Sequence, residues 1–196
     1  MHKGLFVNLR RADTSDFNKI MEWMSSPDYS NNILDYSNVP PDDLRIFMLN
    51  RLNNVDKYPS YLYFIVETKK GAPIGIATLN NINWKDRNLS LELIIGDDKF
   101  RGKMYGIDIC ITASDVAFSV LNMYKLWSYI YSFNEQSIKM CKWLGVPQEA
   151  ILKDQKLSDG KLFDTYVFGM LKPDFYKLKT AKQKQLLEAS KKKSQQ

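Results

Sequence analysis

Apolar and polar positions alternate in several short runs, and stretches with the three-to-four spacing of helices separate them. Residues 6–10, Phe-Val-Asn-Leu-Arg, predict a first strand. Asp13 follows as the N-cap of a helix to about Met24, with Phe17, Ile20, Met21 and Met24 on its buried stripe. Residues 25–40 are polar and turn-rich, and Leu44, Phe47, Met48 and Leu52 then mark a second helix. Two β-rich runs, 61–67 and 74–82, are joined by the hairpin signal Lys69-Lys-Gly-Ala-Pro73. In the next strand Leu89, Leu91, Leu93 and Ile95 fall on one face, with Ser90, Glu92 and Ile94 on the other. A loop carrying Arg101, Gly102, Lys103 and Gly106 leads into a helical run, 107–122. There Ile107, Cys110, Ile111, Ser114, Phe118 and Leu121 share a face. Residues 126–133 alternate again, with aromatics at 127, 129, 131 and 133 that read as core or sheet surface. A helix over 135–144 stops at Gly145, and strands near 150–156 and 162–170 flank a Ser158-Asp-Gly-Lys161 turn. The pattern predicts an α+β domain.

Composition narrows the picture. A chain of 196 residues with 44% hydrophobic content can bury one core. No apolar run approaches the length of a membrane span, and Met-His-Lys-Gly at the N-terminus lacks a signal-peptide core. Cys110 and Cys141 sit in helical patterns, which suggests reduced thiols and a cytoplasmic protein. The single histidine, His2, makes histidine catalysis improbable, and no metal site is expected. The net charge of +6 resides in residues 172–196, where eight lysines face Asp174 and Glu188, and residues 1–171 balance at 20 basic and 20 acidic groups. That tail shows only a weak stripe at Phe175, Leu178, Leu186 and Leu187, so it reads as a solvated, partly helical or disordered extension. Nucleic-acid binding is not favoured, because nothing in the body offers a platform for it.

The chemistry concentrates where a strand passes through a basic, glycine-bearing loop into a helix N-terminus. Free backbone N–H groups and the positive end of the helix dipole converge there, which is a recipe for holding phosphates.

Arg101-Gly-Lys-Met-Tyr-Gly106 resembles the acetyl-coenzyme A signature Gln/Arg-x-x-Gly-x-Gly/Ala of the GNAT N-acetyltransferase superfamily. Ile94-Ile-Gly-Asp97 ahead of it is similar to the family's fourth strand. Ala117-Phe-Ser-Val-Leu-Asn122, Lys125-Leu126 and Asn134-Glu-Gln-Ser-Ile138 up to Leu144-Gly145 match the next blocks in order and spacing. The branch it is most similar to holds the ribosomal-protein and spermidine N-acetyltransferases, over roughly residues 5 to 171. The signature's middle glycine is Met104 here. The resemblance implies a GNAT-type fold over residues 1–171, a mostly antiparallel six- to seven-stranded sheet flanked by about four helices, with 172–196 a separate tail.

The resemblance also implies roles. The coenzyme's pyrophosphate would lie on the backbone of Gly102, Lys103, Met104, Tyr105 and Gly106, with charge from Arg101 and Lys103. The pantetheine arm would run beside Leu93, Ile94 and Ile95, and Asn134 and Ser137 would touch it; Asn134 also suits a helix N-cap. Glu92, the sole ionisable group in its apolar alternation, is the candidate general base, because partial burial raises a carboxyl pKa. Cys141 stands where many members carry a tyrosine acid; Ser137, Tyr105 or a water are alternatives, and a packed cysteine is the plain reading. Asp28, Tyr29, Asp35 and Tyr36 fall in the segment that shapes the acceptor pocket, or in an ordinary solvated loop.

The expected activity is direct transfer of acetyl from acetyl-CoA to a primary amine in a ternary complex. The amine would be a protein N-terminus, a polyamine, an amino sugar or another small amine. A non-catalytic acyl-CoA-binding or interaction protein with a degenerate site is the alternative, motivated by Met104 and Cys141. Acetyl-CoA and an amine are the expected partners; no membrane is expected, and a homodimer is left open.

Overall fold

The strand that carries Glu92, called β5 (Asn88–Ile95), is central to the architecture. The computed structural model describes residues 1–26, 40–102 and 104–193. Ahead of β5 come β1 (His2–Lys3), β2 (Val7–Arg11), α1 (Phe17–Met24), α2 (Pro41–Leu52), β3 (Leu62–Thr68) and β4 (Pro73–Asn83). After it come α3 (Tyr105–Asp115), β6 (Lys125–Tyr131), α4 (Glu135–Leu144), β7 (Gln148–Ser158), β8 (Lys161–Leu171) and α5 (Lys172–Lys193). Among the described residues the strands form one sheet in the order β1-β2-β3-β4-β5-β6-β8-β7, antiparallel except between β5 and β6. The sheet has eight strands where six to seven were expected, because the two-residue β1 adds to the edge. The helices among the described residues number five rather than about four, because the tail is itself a helix.

Side-chain alternation gives the sheet two covered faces. On one, Leu89 and Leu91 of β5 join Val66, Ala77 and Leu79 beneath Ile109, Ala113 and Phe118 of the α3 region. Each of the larger side chains, the alanines aside, contributes about 1.5–3 kcal/mol of burial. On the other face Ile65 and Ile76 pack with Ile94 beneath Phe17, Ile20 and Trp23 of α1 and Met48 of α2. Trp23 lies against the backbone of Gly96, where any Cβ would stand 2.1 Å from the indole, and this fixes α1 beside the end of β5.

Local signals set the helix ends. Asp13 caps the turn before α1 through Ser15 N–H in a capping box with Asp16. The α4 helix begins at Asn134, whose side chain accepts from Ser137 N–H, and ends at Gly145 in the left-handed region at φ 78°. Val146 N–H then reaches the Cys141 carbonyl and Gly145 N–H the Lys142 carbonyl, closing the helix as a Schellman turn. Val116–Val120 extends α3 as a π-helical turn, which ends the regular helix before the expected residue 122.

The tail differs from expectation. Lys172–Lys193 is one helix, with Phe175 and Leu186 buried in the main core and Leu178 packed against it. Positions 175, 178, 182 and 186 share a face, and the lysine there lays its aliphatic stem along it. The Lys182 ammonium donates to the Trp143 carbonyl and stands 4.7 Å from that ring centroid, and Lys179 pairs with Asp115 at 2.6 Å. Lysine stems complete an apolar stripe that residue types alone leave weak.

Candidate active site

The face under α1 and α2 changes character along the strands. Its inner row, Ile65, Ile76 and Ile94, is apolar. Two residues further along, Tyr63 pairs with Thr78 and Thr78 with Glu92, and beyond them Asn80 pairs with Ser90 and Ser90 with Trp127. Thr78, Asn80 and Ser90 are all buried. Ser90 is satisfied, accepting from Asn81 Nδ2 at 3.0 Å and donating to the Asn80 carbonyl at 3.3 Å. Asn81 sits at φ 51° in a bulge of β4, which brings its side chain onto Ser90. Asn80 is 6% exposed, and neither of its side-chain amide atoms makes a hydrogen bond.

Glu92 is half-buried in this polar band, and its pKa is pushed up to about 6. Burial is the main cause; the nearby Asn80 amide and the Arg51 charge pull it partway back. Asn80 is therefore close enough to polarise the carboxylate without hydrogen-bond geometry. A carboxyl poised near neutrality can take up and release a proton under ordinary conditions.

The strand bearing Glu92 is unpartnered along part of one edge. β5 pairs with β6 through Asn88, Leu89 and Ser90, and Ser128 Oγ then reaches the Leu91 carbonyl at 2.7 Å. Among the described residues no β6 partner continues along Glu92, Leu93, Ile94 and Ile95, while the other edge of β6 stays paired with β8 as far as Tyr131. An extended ligand chain can lie along such an edge as an added strand would.

At its end Arg101 Nε donates to the Ile95 carbonyl at 2.7 Å and Arg101 Nη1 pairs with Asp98 at 2.9 Å, tying the loop down. Gly102 turns at φ 65° with nothing within 4 Å of a would-be Cβ. Met104 precedes α3 in ordinary helical geometry, φ −71° and ψ −6°, and no side chain caps the helix there. Tyr105 is wedged edge-on between Phe100 and Phe6, at 5.0 and 6.4 Å. A Cβ at Gly106 would meet Met140 and Ile95 only at ordinary contact distance, so the protein's own packing does not demand glycine there. An open Gly102 ahead of an uncapped helix N-terminus, with Gly106 in its first turn, suits a pyrophosphate. Lys103 lies outside the described residues, as do Asp28, Tyr29, Asp35 and Tyr36.

The other candidate residues sit on the opposite face. Cys141 packs with Ile130 and Phe168, and with Cys110, Leu91 and Ser128 it lines a cavity of about 60 Å³ under α3, α4 and α5. Burial pushes its thiol up to about 12, which makes it a weak acid. Asn134 and Ser137 are together at the start of α4. Glu92 and Cys141 are thus held on different sides of the sheet.

Residue pattern alone did not single out Asp108, Asn80 or Arg51. Asp108 is fully buried in the first turn of α3, yet its carboxylate accepts from Leu5, Phe6 and Val7 N–H at 2.9, 2.6 and 3.0 Å. It anchors the start of β2 and leaves the helix N-terminus uncapped. Its helical spacing beside Thr112 gave a faint signal; Asn80 and Arg51 needed the strand register and the helix packing.

Among the described residues no group of histidine, cysteine and acidic side chains is placed to hold a metal ion, and no helix is long and apolar enough to cross a membrane. The acetyltransferase (GNAT) domain family matches residues 7–146. An uncharacterised N-acetyltransferase, p20, of Bacillus licheniformis is 23% identical over 171 residues, covering 86% of this chain and 94% of that one. The spermidine N(1)-acetyltransferase of Escherichia coli K12 is 31% identical over 98 residues, about half of each chain (50% and 52%). Among solved structures, spermidine N-acetyltransferase from Vibrio cholerae, in complex with CoA and spermine, superposes with a TM-score of 0.78. Its identity is 19% over 87% of this chain and 98% of that one. The same enzyme in a dodecameric structure gives a TM-score of 0.72 at 21% identity, over 86% and 95% of the two chains.

Proposed function

The chain belongs to the GNAT acetyltransferase family, and from that premise we propose that it moves the acetyl group of acetyl-CoA directly to a primary amine in a ternary complex. The coenzyme's pyrophosphate rests on the backbone N–H groups of the 101–106 loop and the α3 N-terminus, Lys103 and Arg101 adding charge. The pantetheine arm follows the free edge of β5 at Leu93, Ile94 and Ile95, with Asn134 and Ser137 beside it. Glu92 acts through water on the small neutral fraction of the amine. The neutral nitrogen attacks the thioester carbon, the C–S bond breaks, the proton shed by the nitrogen passes through water to Glu92, and the CoA thiolate takes up one proton from solvent.

The observation that carries this reading is the position and pKa of Glu92. A carboxyl near 6 in the polar band beside the open β5 edge is a base where the reaction needs one. Cys141 is a poorer acid for the leaving thiolate. A donor near 12 gives up its proton to an ordinary thiolate of about 8.5 only uphill, so solvent supplies that proton. The ordinary backbone of Met104 removes one of the two reasons for a degenerate, non-catalytic site.

The names of the relatives support a polyamine among the acceptors, and a protein N-terminus, an amino sugar or another small amine shares the required chemistry. The test is calorimetric titration with acetyl-CoA followed by mass spectrometry of an amine panel. Saturable binding and acetylated product support the reading. Binding without product on any amine favours the acyl-CoA-binding alternative, and no binding at millimolar acetyl-CoA refutes both.

A further inference from the structure

Arg51, near the end of α2, is held unusually firmly for a half-exposed arginine. Its guanidinium carbon stands 4.2 Å from the Phe47 ring centroid and 4.3 Å from that of Tyr61, and Nη1 donates to Tyr63 Oη at 2.7 Å. Stacking on aromatic faces leaves the guanidinium fork pre-organised, so little entropy is lost when it takes a ligand. No carboxylate pairs with Arg51 within 4 Å among the described residues, although its charge reaches Glu92. The Tyr63 it grips heads the cross-strand row Tyr63–Thr78–Glu92, whose end residues stand about two strand spacings apart, roughly 10 Å between the Tyr63 and Glu92 backbones, so Arg51 is anchored to the row that carries the base.

Asn80 is an independent second observation. It lies one row beyond Glu92 on that face, more than nine-tenths buried, with its amide near the Glu92 carboxylate but neither its donor nor its acceptor in hydrogen-bond geometry. A buried amide left so is costly unless something occupies its bonds. An amide can accept from an ammonium while its NH2 donates to an oxyanion.

We propose that the acceptor is a primary amine that also bears an oxyanion, its nitrogen directed to Glu92 and Asn80 and its carboxylate or phosphate taken by Arg51. This rests on the acetyltransferase reading of the same site and adds the class of substrate. A rigid guanidinium fork matches two oxygens of a carboxylate or phosphate at once. The same cation repels a second ammonium, so an extended polycation fits the described part of the site less well than a zwitterion.

The test uses the full chain with acetyl-CoA and amines matched in pairs. An ω-amino acid series from glycine to 6-aminohexanoate is set against the corresponding amides, with phosphoethanolamine against ethanolamine, and spermidine as the polycation. The expected result is a preference of roughly 30-fold or more in kcat/KM for the anionic member, carried in KM. The carboxylate and phosphate arms show which oxyanion is used. In Arg51→Gln the acid-to-amide ratio falls towards one, and Arg51→Lys restores part of it.

Binding of the N-acetylated acid to the CoA-loaded protein, followed by calorimetry, gives a readout that needs no turnover. Product binding lost in Arg51→Gln without any turnover keeps the anion site and refutes the catalytic reading. Turnover of amides or spermidine that equals or exceeds that of the acids, unchanged in Arg51→Gln, refutes the anion site and keeps the catalytic reading. Neither product binding nor turnover refutes both.

Discussion

Replacing Glu92 by glutamine should make the protein more stable and nearly inactive. The carboxyl ionises near 4.5 when exposed and near 6 here, with burial as the cause. In the folded chain the proton is therefore held across a window in which the unfolded chain has released it. Stability falls as pH rises from about 4.5 to about 6 and stays reduced above. One and a half pKa units correspond to about 2 kcal/mol. Glutamine keeps the shape, carries no charge at any pH, and avoids that cost. For a chain of this size the gain amounts to roughly 4–8 °C in melting temperature above pH 6, shrinking to nothing at pH 4. Thermal unfolding of both proteins from pH 4 to 8 measures it. On the same preparation, turnover of a competent acceptor should fall by about 10²-fold or more, with acetyl-CoA affinity nearly unchanged. A mutant that melts at or below the wild type at pH 8, or whose difference does not depend on pH, refutes the burial of this charge.

Met104→Gly should lower stability by about 0.4–1 kcal/mol, because the native dihedrals suit methionine and glycine adds only unfolded-state entropy; a mutant that melts higher overturns this. Ending the chain at Leu171 removes the buried Phe175 and Leu186, each worth about 1.5–3 kcal/mol, so melting should drop by at least about 6 °C. A truncated chain that melts unchanged shows that α5 does not contribute to the core. Cys141→Ala should keep turnover within about threefold and cost a modest amount of stability, since the thiol packs more than it donates; loss of turnover by 10²-fold makes it the acid.

Much of the fold was legible because alternation and helical spacing are local. Leu89, Leu91 and Leu93 against Ser90 and Glu92 define both faces of β5, and Gly145 ends α4 as its position suggests. Glu92 stood out as the lone charge in an apolar strand, and its half-burial agrees with that. The rest depended on long-range register. Arg51 and Tyr63 meet across twelve residues, and Asn80 faces Glu92's neighbourhood only through the pairing of β4 with β5. The α5 stripe was obscured because lysine counts as polar although most of its side chain is hydrocarbon. Asp108 looked like a polar position on a helix; its partners Leu5, Phe6 and Val7 lie about a hundred residues away.

The most direct measurement is the pH dependence of kcat/KM for acetyl transfer to an amine, in the wild type and in Glu92→Gln. The acceptor must be neutral to attack, and an alkylammonium of pKa about 10 contributes a slope of one in the logarithmic profile across the whole range. Glu92 adds a second unit of slope below its own pKa. The wild-type profile should therefore rise with slope two up to about pH 6 and slope one above it, and the mutant should show slope one throughout. A wild-type profile without the break, or a mutant that retains it, would contradict Glu92 as the base.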